Sequence, residues 1–239
     1  MGLFSRLFGG SKPTVAYPSD VVTINGKELK LTFFAHASIA IEYEGRTIYV
    51  DPVQGNARYE ELKKADMILV THSHYDHFEM ATVEKIAGEK CAILCDKTSA
   101  EAFEHDCTTM LPGSIAEPFE GLSVKAVPAY NISEGHTDFH PQAREDCGYL
   151  ITLGGTTIYV AGDTEDNDDV LALQGVDIAF LPVNQPYTMT IAQAERVVRA
   201  IQPSIFYPYH YGQVDDKTDI EALRKAVEGI TDCRVFPME

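Results

Sequence analysis

Residues 39–50 alternate apolar and polar positions, break at Glu44-Gly45, and resume in Thr47-Ile48-Tyr49-Val50. That pattern predicts two strands joined by a tight turn. It recurs at 149–160, where a first apolar run passes through Gly154-Gly155 into a second, and both hairpins end in G-x-T-I-Y-V, 110 residues apart. An apolar run follows each hairpin, ADMILV at 65–70 and VDIAFL at 176–181. A helical segment follows each run, at 79–87 and 191–201, and a further strand follows each helix, at 91–95 and 204–209.

Local signals support the helices. Thr190 and Gln193 form a capping-box pattern ahead of Ile191, Ala194, Val197, Val198 and Ile201. Gln202-Pro203 stops that helix. Thr218 and Glu221 repeat the capping pattern before Ile220, Leu223, Val227 and Ile230, and Gly88 is expected as the C-cap after 79–87. Each half thus reads hairpin, strand, helix, strand. Two such halves facing each other predict an α/β fold of four layers, an internally duplicated αββα sandwich.

The strand at 67–70 runs directly into Thr71-His72-Ser73-His74-Tyr75-Asp76-His77. On a continuing strand His72 and His74 share one side, because the side-chain period is two. Asp76 and His77 then fall in the turn before the helix. Nitrogen and oxygen donors on two sides of one loop suffice to begin two metal sites, and imidazole with carboxylate suits zinc, iron or manganese better than calcium. Asp163 ends the equivalent strand of the second half and can bridge two cations; the competing expectation is a helix-capping role beside EDNDD at 165–169. The other acids of that run are expected to be solvated or capping. His210 follows the last strand, in Tyr209-His210-Tyr211-Gly212.

The chain of 239 residues, 45% hydrophobic and 23% charged, has the size and composition of one globular domain. Residues 1–18 are expected to form a mobile tail and 19–239 the domain. The net charge of −17 disfavours nucleic acid. No run approaches the ~18 apolar residues of a membrane span. Five cysteines with no Cys-x-x-Cys pair suggest free thiols in a reducing, cytoplasmic compartment.

H-x-H-x-D-H, a later G-D-T and a final strand ending in H-Y-G resemble the metallo-β-lactamase superfamily, across residues 32–212. Ala35-His36-Ala37-Ser38, Asp51-Pro52 and Val127-Pro128-Ala129-Tyr130 are similar to the metal-dependent hydrolase branch that includes L-ascorbate-6-phosphate lactonase and N-acylethanolamine phospholipase D. The resemblance implies an αββα fold and a dinuclear site. His72 and His74 would hold metal 1, Asp76, His77 and His210 metal 2, and Asp163 would bridge. It also places His36 at the pocket and puts Asp51 behind a ligand histidine, which it would orient through the other ring nitrogen.

One departure stands out. Relatives carry a histidine after V-P-A-x that completes metal 1, and here the position is Asn131. Three alternatives follow: Asn131 ligates through its amide oxygen, a downstream histidine (His136 or, better, His140) swings in, or metal 1 is weakly held. Tyr187 could line the pocket mouth. The expected activity is hydrolysis of a small-molecule ester, lactone or phosphodiester by water activated on one to two divalent ions, zinc first, manganese or iron next. Asp76 and Asp163 are the carboxylates placed to steer the proton. The rival reading is a non-catalytic metal-binding or scaffold protein with a decayed site.

Overall fold

The structure, a computed structural model, describes residues 15–104, 106–212 and 217–239. Two seven-stranded sheets face each other. The first holds β1 (Ser19–Ile24), β2 (Lys27–Ala35), β3 (Ser38–Tyr43), β4 (Arg46–Val50), β5 (Ala65–Val70), β6 (Ala87–Cys95) and β7 (Thr108–Thr109) in that order. The second holds β8 (Ile115–Phe119), β9 (Leu122–Pro128), β10 (Cys147–Leu153), β11 (Thr156–Val160), β12 (Ile178–Pro182), β13 (Ile205–Tyr209) and β14 (Asp232–Cys233). Each sheet begins with antiparallel pairs and turns parallel from its fourth strand onward. Among the described residues, five α-helices complete the fold: α1 (Met80–Ile86), α2 (Lys97–Ala100), α3 (Asp168–Leu171), α4 (Ile191–Ile201) and α5 (Ile220–Ala226).

The duplication extends to hydrogen bonds. Ile48 pairs with Met67 and Val50 with Leu69 in one half; Ile158 pairs with Ile178 and Val160 with Phe180 in the other. Asp66 accepts from Thr47 N and Asp177 from Thr157 N, each at 2.8 Å. An equivalent carboxylate therefore locks the start of the equivalent strand twice.

Alternation sorts the first sheet's side chains. Ile39, Ile41, Ile48, Val50, Met67 and Leu69 enter the core between the sheets, while Ala40, Tyr49, Ile68 and Val70 pack outward with Val83 and Ile86 of α1. Phe33 of the first sheet meets Tyr207 of the second at 5.2 Å between ring centroids, closing the sandwich. Fully burying one such side chain contributes roughly 1.5–3 kcal/mol.

The α4 capping box forms as expected: Thr190 Oγ1 accepts from Gln193 N at 3.2 Å, and Gln193 Oε1 accepts from Thr190 N at 2.7 Å. Two expectations need correction. Gly88 lies inside β6, and a Cβ there would sit 2.7 Å from the Ala65 carbonyl. It permits close pairing of β5 with β6 and caps no helix. The N-cap of α5 is Asp219, whose Oδ1 accepts from Ala222 N at 3.0 Å, while the Thr218 hydroxyl donates to the Val183 carbonyl. Of the expected tail, residues 1–14 lie outside the described residues. Tyr17 packs edge-on against Phe34 at 4.9 Å, and the Pro18 carbonyl accepts from Phe33 N.

Candidate metal centre

The site forms along the carboxyl ends of both sheets' strands, where parallel strands stop and their loops converge. Asp51 follows β4, His72 follows β5, Asp163 follows β11 and His210 follows β13. His36 occupies the turn between β2 and β3. His36, Asp51 and His210 have φ of 54°, 46° and 53°, a backbone region that non-glycine residues enter at a cost. His210 N donates to the His36 carbonyl at 3.0 Å, tying the two sheets together at the site. Gly162, with φ of 65°, leaves room for Thr71: a Cβ there would lie 3.1 Å from Thr71 Cβ.

Three donor groups emerge. His72, His74 and His140 form one; His36, Asp76, His77 and His210 a second; His72, His77 and Asp163 a third. Within each group the donor atoms lie within 4.8 Å of one another. Asp163 stands at the centre, with Oδ2 3.4 Å from His140 Nε2 and 3.3 Å from His210 Nε2, and Oδ1 3.3 Å from His77 Nε2. Asp163 therefore lies between His140 on one side and His77 and His210 on the other. The competing capping role belongs to Asn167, whose side chain accepts from Val170 N at the start of α3.

His140 joins His72 and His74, while Asn131 is held through its amide nitrogen and its Oδ1 is buried without a hydrogen-bond partner. The Asn131 amide donates to the Tyr187 carbonyl at 2.8 Å and to the His136 carbonyl at 3.2 Å, while its backbone N–H holds the His140 carbonyl at 2.9 Å. Asn131 thus shapes the loop that delivers the imidazole. His136 sits apart from the donors, 3.5 Å from Glu165 Oε1. The connection between β9 and β10, residues 129–146, replaces the tight turn between β2 and β3 of the first half. That difference between the halves makes room for His140.

The surrounding residues orient the donors. Asp51 Oδ2 lies 2.9 Å from His77 Nδ1, and Asp51 also accepts from Thr71 N and from the Thr71 hydroxyl at 2.8 and 2.7 Å. This leaves His77 Nε2 directed at Asp163, the arrangement by which an outer carboxylate sets a ligand imidazole. His36 Nε2 is 3.0 Å from Asp76 Oδ2. Asp146 backs His140 at 3.8 Å and pairs with Arg144 at 3.1 Å.

Of the acids after Asp163, Asp168 and Asp169 are exposed in the first turn of α3, as expected, while Glu165 and Asp166 are buried. Glu165 is fully buried, and its Oε2 accepts from Ile132 N and Ser133 N, each at 2.7 Å. Thr164 Oγ1 accepts from Tyr130 N at 3.1 Å, and Asn167 Nδ2 donates to the Tyr130 carbonyl at 3.2 Å. The segment that follows Asp163 therefore grips the His140 loop. Sequence reasoning passed over Glu165, Thr71 and Asp146, which act through partners far away in the chain.

Charge at the site is mutually arranged. Burial pushes the Asp163 carboxyl up, yet the His210 and His77 imidazoles outweigh it and hold the group well below the usual carboxylate range. Burial also opposes protonation of His77, but Asp163 and Asp51 on its two sides raise it well above its ordinary value. Burial and the neighbouring His77 hold His72 well below its own. Asp76 is lowered to about 2, its burial outweighed by the His36 hydrogen bond and His77. Negative charge is thus retained on Asp163 and Asp76 among the clustered imidazoles, which favours a bound cation. His77 Nε2, His210 Nε2 and Asp163 Oδ1 are buried without a hydrogen-bond partner. Each orphaned group costs roughly 1–3 kcal/mol, and a divalent ion would satisfy all three.

The donors open on a cleft of about 490 Å³ lined by His36, His74, Asp76, His140, Asp163 and His210 together with Tyr75, Phe139, Asn184 and Tyr187. A family model described as a beta-lactamase superfamily domain matches residues 30–210. The chain belongs to the metallo-β-lactamase superfamily. A UPF0173 metal-dependent hydrolase of Pyrococcus furiosus is 33% identical over 198 residues, spanning 77% of this chain and 84% of that one. A second UPF0173 metal-dependent hydrolase, from Pelotomaculum thermopropionicum, is 31% identical over 227 residues, 87% of this chain and 95% of its own. A crystal structure described as a metal-dependent hydrolase from Parabacteroides distasonis superposes with a TM-score of 0.88 at 37% identity, covering 94% of this chain and all of that one. This superfamily member is accordingly a metal-dependent hydrolase with a His/Asp cluster able to hold metal.

Proposed function

We propose a dinuclear hydrolase of a small-molecule ester, lactone or phosphodiester. His72, His74 and His140 would hold one cation and Asp76, His77 and His210 the other, with Asp163 between them. Zinc suits this donor set best, and manganese and iron share its preferences. The carrying observation is the convergence of the His72–His74–His140 and His36–Asp76–His77–His210 groups about Asp163, beside one cleft that His74, Asp76, His140, Asp163 and His210 line.

Divalent ions held there supply a water acidified to near neutral pH and positive charge for a developing oxyanion. The chain supplies the rest. Asp51 fixes the His77 ring, and His36 fixes the Asp76 carboxylate. Asp76 and Asp163 line the cleft as ionised carboxylates, which would orient the attacking water as hydrogen-bond acceptors. Phe139 and Tyr187, edge to face at 4.8 Å, wall one side.

We assign the protein to the cytoplasm, a reading supported by five free cysteines, with burial pushing the Cys91 thiol up to about 11. No helix among the described residues is long and apolar enough to cross a membrane.

The test is elemental analysis of metal per chain joined to a hydrolysis panel. One to two ions and turnover are expected, and His74→Ala should keep the fold and lose the turnover. Absence of metal after supplementation refutes the proposal. Global unfolding of His74→Ala would instead assign the cluster a structural role.

A further inference from the structure

Asn184 lies just beyond β12, lines the cleft, and is 4% exposed. Its backbone already holds the following loop. Asn184 N donates to Thr188 Oγ1 at 2.7 Å, and its carbonyl accepts from Thr188 N at 2.8 Å and Tyr187 N at 3.0 Å. The side-chain amide takes no part in that. Asn184 Oδ1 is buried with no hydrogen-bond partner, and Nδ2 bonds to nothing among the described residues. A buried amide oxygen left unpaired is costly in a folded protein, and this residue lines the reaction cleft, where its Nδ2 is not itself buried.

The internal duplication sharpens the point. With Leu69 and Phe180 at matching positions in their ladders, Asn184 corresponds to Ser73 in the loop that carries His72 and His74. One copy of the loop presents metal donors to the cleft. The other presents an uncommitted amide and, three residues on, Tyr187.

Charge in the cleft narrows the ligand. Among the described residues, no lysine or arginine lines it, and Asp138 stands exposed at its rim. The nearby Arg144 is committed: its guanidinium lies 3.1 Å from Asp146 Oδ2, 3.2 Å from Ser73 Oγ and 2.9 Å from His74 Nε2. Apart from the proposed cations, a phosphodiester would meet a carboxylate at the rim and no uncommitted guanidinium.

Resting on the hydrolase reading above, the geometry points to Asn184 as a substrate-binding residue for an uncharged ester or lactone. That substrate carries an amide, or a similar adjacent donor and acceptor, to pair with both ends of the Asn184 side chain. Its apolar portion lies against Phe139 and Tyr187. Phosphodiesters, which offer Asn184 no such amide, are the poorer substrates.

The metal-loaded full chain tests this with three probes: N-acetyl-phenylalanine p-nitrophenyl ester, its N-methyl analogue, and bis(p-nitrophenyl) phosphate. The N–H ester is expected to exceed the N-methyl ester in kcat/KM by roughly ten- to hundred-fold, the range for one buried hydrogen bond left unmade. Asn184→Ala should bring that ratio to about one, with melting temperature and metal content retained, and the diester should be the slowest. The wild-type N–H preference probes the same contact without any substitution. A wild-type ratio near unity, a preference that survives Asn184→Ala, or a leading diester overturns the inference while hydrolysis stands. No turnover of any probe by metal-loaded protein counts against the hydrolase reading, and the inference falls with it.

Discussion

Glu165 touches no substrate and is not among the proposed ligands, yet the delivery of His140 depends on it. Glu165→Ala removes two hydrogen bonds of 2.7 Å from Ile132 N and Ser133 N to a buried carboxylate. Bonds to a charged group contribute roughly 1.5–3 kcal/mol each. Ile132 is half exposed, so its amide regains water when the carboxylate is gone. The expected loss is therefore about 2–4 kcal/mol. For a chain of this length that is a melting temperature lower by about 6–12 °C, measured on metal-free protein. The second consequence is specific. The 129–146 loop loosens, and the group of His72, His74 and His140 should bind metal ~10–100-fold more weakly, as when a residue behind a ligand is lost. The cluster of Asp76, His77 and His210 hangs on other elements and should keep its ion. Chelator competition followed to two equivalents would show one weakened class and one unchanged. Glu165→Gln keeps an acceptor without its charge and should fall between. Destabilisation with both metal affinities unchanged would refute the link from Glu165 to His140, and unchanged stability would refute the energetic argument.

Two further outcomes follow from the geometry. His140→Ala should lose one metal equivalent and most activity, whereas Asn131→Ala should cost about 1–3 kcal/mol of stability and keep both ions; the opposite pattern in elemental analysis would make Asn131 the ligand. Burial holds the His36 imidazole down to about 4, against about 6.5 in an unfolded chain, with the Asp76 hydrogen bond offsetting part of that fall. Between those values the unfolded chain binds the extra proton, so His36 makes the metal-free fold lose up to about 3 kcal/mol as pH drops from about 6.5 to 4. His77, whose value is raised, contributes stability at low pH that is lost as pH rises through its folded value, so the His36 share must be read as a difference. His36→Asn should flatten that acid limb in urea midpoints taken across the window, and an unchanged limb would show that His36 does not titrate this way.

Much of this was written locally. Strand alternation in 39–50 and 149–160, the Thr190–Gln193 cap and the run from His72 to His77 are all relations between residues a few positions apart, and backbone periodicity alone places them. Repetition of one pattern in both halves then implied two facing sheets. Gly88 misled because a glycine after a helix suits a C-cap and a close strand approach equally, and only the Ala65 carbonyl opposite it decides. Asn131 and His140 could not be ranked from their spacing. Which of them reaches His72 and His74 depends on how the 129–146 loop folds, and that loop is pinned by Thr164, Glu165 and Asn167, residues far along the chain. The same holds for Asn184, whose amide is conspicuous only once burial leaves it unpaired. Periodicity and capping are properties of neighbours along the chain. Which donor fills a coordination position is settled by contacts that exist only when both sheets and their loops have closed.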